Sequence, residues 1–156
     1  MQMKANWKAL TAAVALPLAV GGLAALLTMD GMKDYAGLNQ PPLAPPGWLF
    51  PVAWTVLYVL MGYASYLVFL SPSEKRGPAL TLYAVQLGVN FVWPLLFFGL
   101  EWYLTSFFWL VLLWVLIYLT IRQFSQVSQR AANLLLPYIL WVTFAGYLNL
   151  SVFLLN

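Results

Sequence analysis

Three stretches of this sequence place indole, phenol and carboxamide side chains at helical spacing. Trp54, Tyr58, Met61 and Ser65 follow intervals of four, three and four residues. Gln86, Asn90, Trp93 and Phe97 repeat an interval set of this kind, as do Tyr138, Trp141, Ala145 and Asn149. On a helix each quartet shares one face. None of these side chains is an acid or base near neutrality, and the chain has no Cys and no His. Thiol nucleophiles, imidazole bases and the commonest ligands of zinc and haem iron are therefore missing, so neither a metal site nor a catalytic group is expected. What remains is recognition. Indole faces can stack on a flat, mostly apolar molecule while amides and hydroxyls bond its few polar atoms, and the small Ala145 leaves room. Taken singly, each aromatic has a plainer use in packing or in an interfacial belt, to which Trp7, Trp48 and Trp102 are assigned. Asn90 and Asn149 likewise suit hydrogen bonds between helices. The coincidence of three such faces argues for a pocket.

The elements that must hold these faces follow from composition. Of the 156 residues 63% are hydrophobic and only 7% charged, where a soluble domain of this size needs about a quarter charged. The surface must face lipid. Apolar runs at roughly 9–28, 49–70, 79–99, 104–121 and 132–154 each approach the 20 residues that span a bilayer, which predicts an all-α bundle of five transmembrane helices forming a single domain over 1–156. Lys4 and Lys8 precede the first run as in a signal peptide, but the run continues to Leu27 without a small-residue cleavage site, so it is assigned as a span. Of the polar groups inside the runs (Gln86, Asn90, Thr143, Asn149 and hydroxyls) none is ionisable, which disfavours a proton-coupled carrier. No internal repeat is visible, which disfavours an inverted-repeat transporter.

The first connection, 29–48, is the long one. Pro41, Pro42, Pro45 and Pro46 forbid a regular helix there and predict an extended, stiff segment, either a rigid connector or a lid over the bundle mouth. Lys4, Lys8, Lys75, Arg76, Arg122 and Arg130 fall on one side of the membrane and Lys33 on the other. The positive-inside rule then places the N-terminus in the cytoplasm of a bacterial-type membrane and the C-terminus and proline-rich loop outside. The net charge of +3 is thus a topology signal and not a nucleic-acid patch.

The residues also carry a resemblance. The stretch DYAGLNQPPLAPPGWLFPVAWTVLYVLMGYASY, which contains Tyr35 and ends at Tyr66, QLGVNFVWPLLFFG at 86–99 and PYILWVTFAGYLN at 137–149 resemble, in order, the three blocks of the TspO or translocator protein family. Pro17, Gly21 and Gly22 extend the likeness into the first span. Membership implies a five-helix bundle, often dimeric, that binds protoporphyrin and related tetrapyrroles, with sterol and drug-like ligands known for some members. It also implies ligand contact by Tyr35, Trp54, Asn90, Trp141 and Ala145. The chain departs from the family pattern at Asp34, where Trp is usual, and at Leu43, where an aromatic is common. It also has no basic residue after Tyr147, as the proposed steroid pattern requires, which places sterol transport below tetrapyrrole binding. Without His or Cys, free porphyrin is favoured over ligated haem, and no cofactor is required.

Tyr35, Trp54, Tyr58, Gln86, Asn90, Trp93, Phe97, Tyr138, Trp141, Ala145 and Asn149 are therefore the candidate ligand contacts, with the four loop prolines as the lid. Three readings remain open at this level. The first is a receptor or carrier for tetrapyrroles. The second is a light-dependent porphyrin-degrading activity, proposed for the family, with Trp54 and Trp141 as redox groups. The third is a structural membrane protein whose aromatic faces bury against partner helices.

Overall fold

The computed structural model describes residues 6–156, and among them every regular element is a helix. Lys4 of the topology count lies outside the described residues. The elements are α1 (Trp7–Leu27), α2 (Met29–Ala36), α3 (Leu49–Leu70), α4 (Arg76–Pro94) with a π-helical turn (Leu95–Gly99), α5 (Tyr103–Ser125), α6 (Gln129–Leu134) and α7 (Leu136–Leu155). Taking α4 with its π turn and α6 with α7, five helical units of 21 to 27 residues are long and apolar enough to cross a bilayer.

The ends of these helices follow from local chemistry. Asn6 caps α1 by accepting from the Ala9 N–H at 3.1 Å, and Ser128 caps α6 by accepting from Ala131 at 3.2 Å. Arg76 donates to the carbonyls of Phe69 and Ser71 at 2.9 and 3.1 Å, which satisfies the C-terminal end of α3 and fixes the turn into α4. Two prolines break the regular pattern. Pro94 has no N–H for the carbonyl four residues back, and the helix beyond it loosens into the π turn, where the Leu100 N–H reaches Leu95 at 2.9 Å. Pro137 interrupts the last span, so α6 ends at Leu134 and α7 begins at Leu136 with the proline in its first turn.

The long connection differs from its sequence reading. Its first eight residues, Met29–Ala36, form a helix, because the prolines start only at Pro41 and Asp30 and Lys33 stand at the ends that suit the helix dipole. Gly31 lets this helix close on the π turn: the Phe98 carbonyl occupies the space a Cβ would need. Only 37–48 remain irregular.

Around the bundle the long helices run in the order α3, α1, α4, α5, α7, and α6 closes the ring between α5 and α3. The α1–α3 crossing depends on Gly62, since a Cβ there would lie 2.5 Å from both the Ala13 carbonyl oxygen and the Val14 Cα. Gly62 is thus an internal packing residue and not part of a subunit face. Gly62→Ala is expected to cost about 1–3 kcal/mol by overpacking, read as a lower melting midpoint in detergent. An unchanged midpoint would show that the crossing yields freely.

Across the bundle, α3 and α7 stand further apart than the neighbouring pairs. Side chains, not backbones, fill the space between them, and there the three quartets meet.

Candidate functional site

Tyr58, Gln86, Asn90, Trp93, Phe97, Tyr138, Ala145 and Asn149 are all buried, and Trp54 and Trp141 are half-buried beside them. Each lies on the inward stripe of its helix because the four-and-three spacing keeps it there while Val, Leu and Phe on the opposite stripe meet lipid. The buried amides and phenols need partners in so dry a setting, and they find them in one another.

Two separate networks result. In the first, the Tyr58 hydroxyl donates to Asn90 Oδ1 at 2.9 Å, Asn90 Nδ2 donates to the Tyr138 hydroxyl at 2.7 Å, and that hydroxyl donates to Gln86 Oε1 at 2.7 Å. This chain joins α3, α4 and α7. In the second, Asn149 Oδ1 accepts from Trp93 Nε1 at 3.0 Å and from Ser106 Oγ at 3.1 Å, and its Nδ2 donates to the Tyr103 carbonyl at 2.7 Å. That one joins α4, α5 and α7. Asn90 and Asn149 therefore act as hydrogen-bond junctions between helices. Thr143 serves a smaller junction of the same kind, accepting from Trp114 Nε1 at 2.9 Å.

Aromatic rings cover both networks. Trp54 stacks on Tyr58 with centroids 5.6 Å apart and meets Tyr138 and Trp141 edge-on at 6.3 and 6.5 Å. Phe50 and Phe144 flank Trp141 at 6.1 and 5.7 Å. Trp93 stacks on Phe97 at 5.2 Å, and Tyr35 of α2 reaches Phe50, Phe97 and Phe98 at 6.2, 5.5 and 5.4 Å. Tyr35 thus bridges the two ring clusters at the end where α2 covers the bundle. Burial, and secondarily the facing Tyr103, raise its phenol above the ordinary tyrosine range, so it remains a neutral donor at physiological pH.

Two donors in the first cluster have no protein partner. Trp141 Nε1 and Gln86 Nε2 are both buried and unbonded. A buried indole N–H normally finds an acceptor, so a bare one among stacked rings is the exception in this interior.

The proline-rich loop lies over this end and is tied down. Pro41 is buried, and the Pro42 carbonyl accepts from the Tyr147 hydroxyl of α7 at 2.6 Å. Asn39 and Asn156 exchange bonds, Asn39 N donating to Asn156 Oδ1 and Asn156 Nδ2 donating to the Asn39 carbonyl, both at 3.1 Å. Between these ties Leu43 is exposed in left-handed backbone at φ 70°, a conformation unfavourable to a branched side chain and held by the turn. Pro45 is partly covered and Pro46 exposed.

Some residues of the assembly are absent from the sequence reading. Ser106 lies in a nearly unbroken apolar run beside Thr105, and only the three-residue step from Tyr103 marks it as the inward hydroxyl. Phe50, Phe98 and Phe144 sit just outside the chosen quartets and complete the ring clusters. Ser65, chosen as part of the α3 face, lies away from both networks and lines a groove between α1, α3 and α4. Trp7, Trp48 and Trp102 are all exposed, as belt residues are.

A ring of five apolar helices with an aromatic, amide-bonded interior and a strapped loop across one end defines a polytopic integral membrane protein. The chain belongs to the TspO/MBR family, whose match covers residues 13–155. It is 39% identical over 146 residues to a tryptophan-rich protein TspO of Chlorobaculum tepidum, covering 92% of each chain. It is 36% identical over 148 residues to that of Archaeoglobus fulgidus, covering 94% of this chain and 96% of the other. It is also 40% identical over 141 residues to the translocator protein of Bos taurus, covering 86% and 82%.

Proposed function

We propose that this protein is a membrane receptor or carrier that binds a tetrapyrrole such as protoporphyrin between α3, α4 and α7, beneath the proline-rich loop. The observation that carries the proposal is the buried, unpartnered indole N–H of Trp141 within a cluster of stacking rings. A flat macrocycle offers those rings a face, and its ring nitrogens or carboxylate oxygens offer that N–H an acceptor. Gln86 Nε2 is a second free donor at the inner end of the cluster. In the closed arrangement the rings of Trp54, Tyr138 and Trp141 occupy the space themselves, so binding requires them to part and the loop to lift. The α3–α7 boundary is where they part most easily, because it is bridged by side chains.

The test is a titration of protoporphyrin into the detergent-purified full chain in the dark, following Trp fluorescence with inner-filter correction. Saturable binding at micromolar or tighter concentration, about −8 kcal/mol, supports the reading. Non-saturating quenching would overturn it in favour of a purely structural role for the aromatic faces.

The same proposal includes a homodimer, measured as a protein mass twice 17.6 kDa in detergent-corrected light scattering. It also includes the orientation set by the basic residues, with the Pro42 loop outside and the 126–130 connection in the cytoplasm. The absence of native Cys makes this simple to test. In intact cells an impermeant maleimide is expected to label Leu43→Cys and spare Gln126→Cys, and the opposite pattern would reverse the orientation.

A further inference from the structure

The proline-rich loop is fastened on one side only. Its first half is held to α7: the Pro42 carbonyl accepts from the Tyr147 hydroxyl at 2.6 Å, Asn39 and Asn156 exchange bonds at 3.1 Å, and Asn39 Nδ2 donates to the Leu155 carbonyl at 3.3 Å. Gln40 Nε2 donates to the Tyr35 carbonyl at 3.0 Å, which adds a tie to α2. The second half, 43–48, has no such anchor. Its bonds stay local, with the Ala44 N–H donating to Pro41 at 3.2 Å and the Leu49 N–H donating to Pro46 at 3.0 Å, and among the described residues no hydrogen bond joins it to α7. Between the halves, the Pro41–Ala44 bond closes a turn with Pro42 and the left-handed Leu43 at its centre. A turn of that shape favours glycine at the Leu43 position, so leucine holds it at a cost and the turn is a point of flexure.

The helices beneath divide in the same way. Helix α3 meets the last span through α6, at the end marked by Arg122 and Arg130, while α3 and α7 themselves stand apart. Toward the loop only side chains bridge them. Phe50 and Trp54, from the first two turns of α3, meet Trp141 at 6.1 and 6.5 Å, and Phe144 backs Trp141 at 5.7 Å. All four rings are partly exposed, so the seam reaches the surface of the bundle.

That surface faces hydrocarbon, since Val52 and Leu140 beside these rings in the sequence are exposed and apolar. The aqueous side of the same end carries exposed Asp30, Asp34 and Glu101 against Lys33, a balance that repels carboxylates. A flat, mostly apolar molecule is also concentrated in the bilayer and not in water. We propose that the α3–α7 seam is a portal through which the ligand enters sideways from the bilayer. With 39–42 held on α7, the loop lifts by its 43–48 arm alone, turning about Leu43 and carrying the first turns of α3. Phe50 and Trp54 then part from Trp141 and Phe144, and the clasp on α7 stays shut. The portal rests on the reading of the aromatic cluster as a tetrapyrrole site.

The chain has no Cys, so each side of the loop can be locked through introduced pairs. Uptake of protoporphyrin by the full chain in phosphatidylcholine nanodiscs is followed in the dark as the saturable phase of Trp quenching in stopped flow. Oxidising Asn39→Cys/Asn156→Cys to a disulfide closes the clasp permanently, and the uptake rate is expected to stay within about twofold of that of the reduced form. Joining Phe50→Cys to Phe144→Cys with a short reducible bifunctional thiol reagent closes the seam, and it is expected to slow uptake roughly tenfold or more, with full recovery on adding reductant. Each protein is its own control, because linked and unlinked forms carry the same substitutions. Uptake lost on closing the clasp, or unchanged on closing the seam, would overturn the portal. A chain that takes up no porphyrin before either link is made would overturn the tetrapyrrole reading itself, and the portal with it.

Discussion

Replacing Asn90 with alanine is expected to destabilise the bundle by about 2 kcal/mol and to loosen α3, α4 and α7 together. A single interhelical hydrogen bond in a membrane averages roughly 0.6 kcal/mol, because the separated helices also find partners. Asn90 holds two, to Tyr58 at 2.9 Å and to Tyr138 at 2.7 Å, and both are buried. Removing the amide also leaves the Tyr58 hydroxyl without an acceptor and opens a small void, each of which adds to the loss. The measurement is the melting midpoint in detergent, with Asn149→Ala as a comparison that disturbs only the second network. A midpoint for Asn90→Ala within about a degree of wild type would mean that the junction is easily replaced, since 2 kcal/mol corresponds to several degrees in a protein of this size.

Trp141→Phe is expected to do the reverse, lowering protoporphyrin affinity about tenfold while leaving the melting midpoint nearly unchanged. The indole N–H bonds nothing in the protein, so its removal breaks no internal hydrogen bond, and the phenyl ring keeps contact with Phe50 and Phe144. The loss falls on the ligand, through one hydrogen bond and part of a stacking face. Seven tryptophans remain to report binding, since the chain has eight. If the midpoint falls and affinity stays, the residue serves packing and the recognition site must lie elsewhere.

The quartets were legible in the sequence because a fixed helical spacing commits all members of a stripe to one face, and an amide within an apolar run has no reason to be there unless it meets another polar group. Which polar group it meets was not legible. Asn90 and Asn149 look equivalent in the sequence, yet one pairs with phenols of α3 and α7 and the other with an indole of α4 and a hydroxyl of α5. That choice depends on which helices pack against α4 and α7 at each level, which spacing within one helix does not contain. Helix α2 escaped because hydropathy reads only apolar runs, and MDGMKDYA is amphipathic and charged. The groove lined by Ser65 escaped for a different reason: a space between three helices belongs to no one of them.

The ties between the proline-rich loop and α7 also bear on the order in which the protein is made. Pro42 waits for Tyr147, 105 residues later, and Asn39 waits for Asn156, 117 residues later. Both buried networks likewise need Tyr138 or Asn149. While the ribosome is still extending the chain, α1, α3, α4 and α5 can enter the membrane and find one another, but the interior has no roof, and Asn90 Nδ2 and Gln86 Oε1 still lack the Tyr138 hydroxyl that joins them. Insertion of α7 supplies both at once, so a nascent chain stalled before residue 136 would be membrane-bound yet open, and completion of the last helix is the event that turns an inserted polypeptide into a closed bundle.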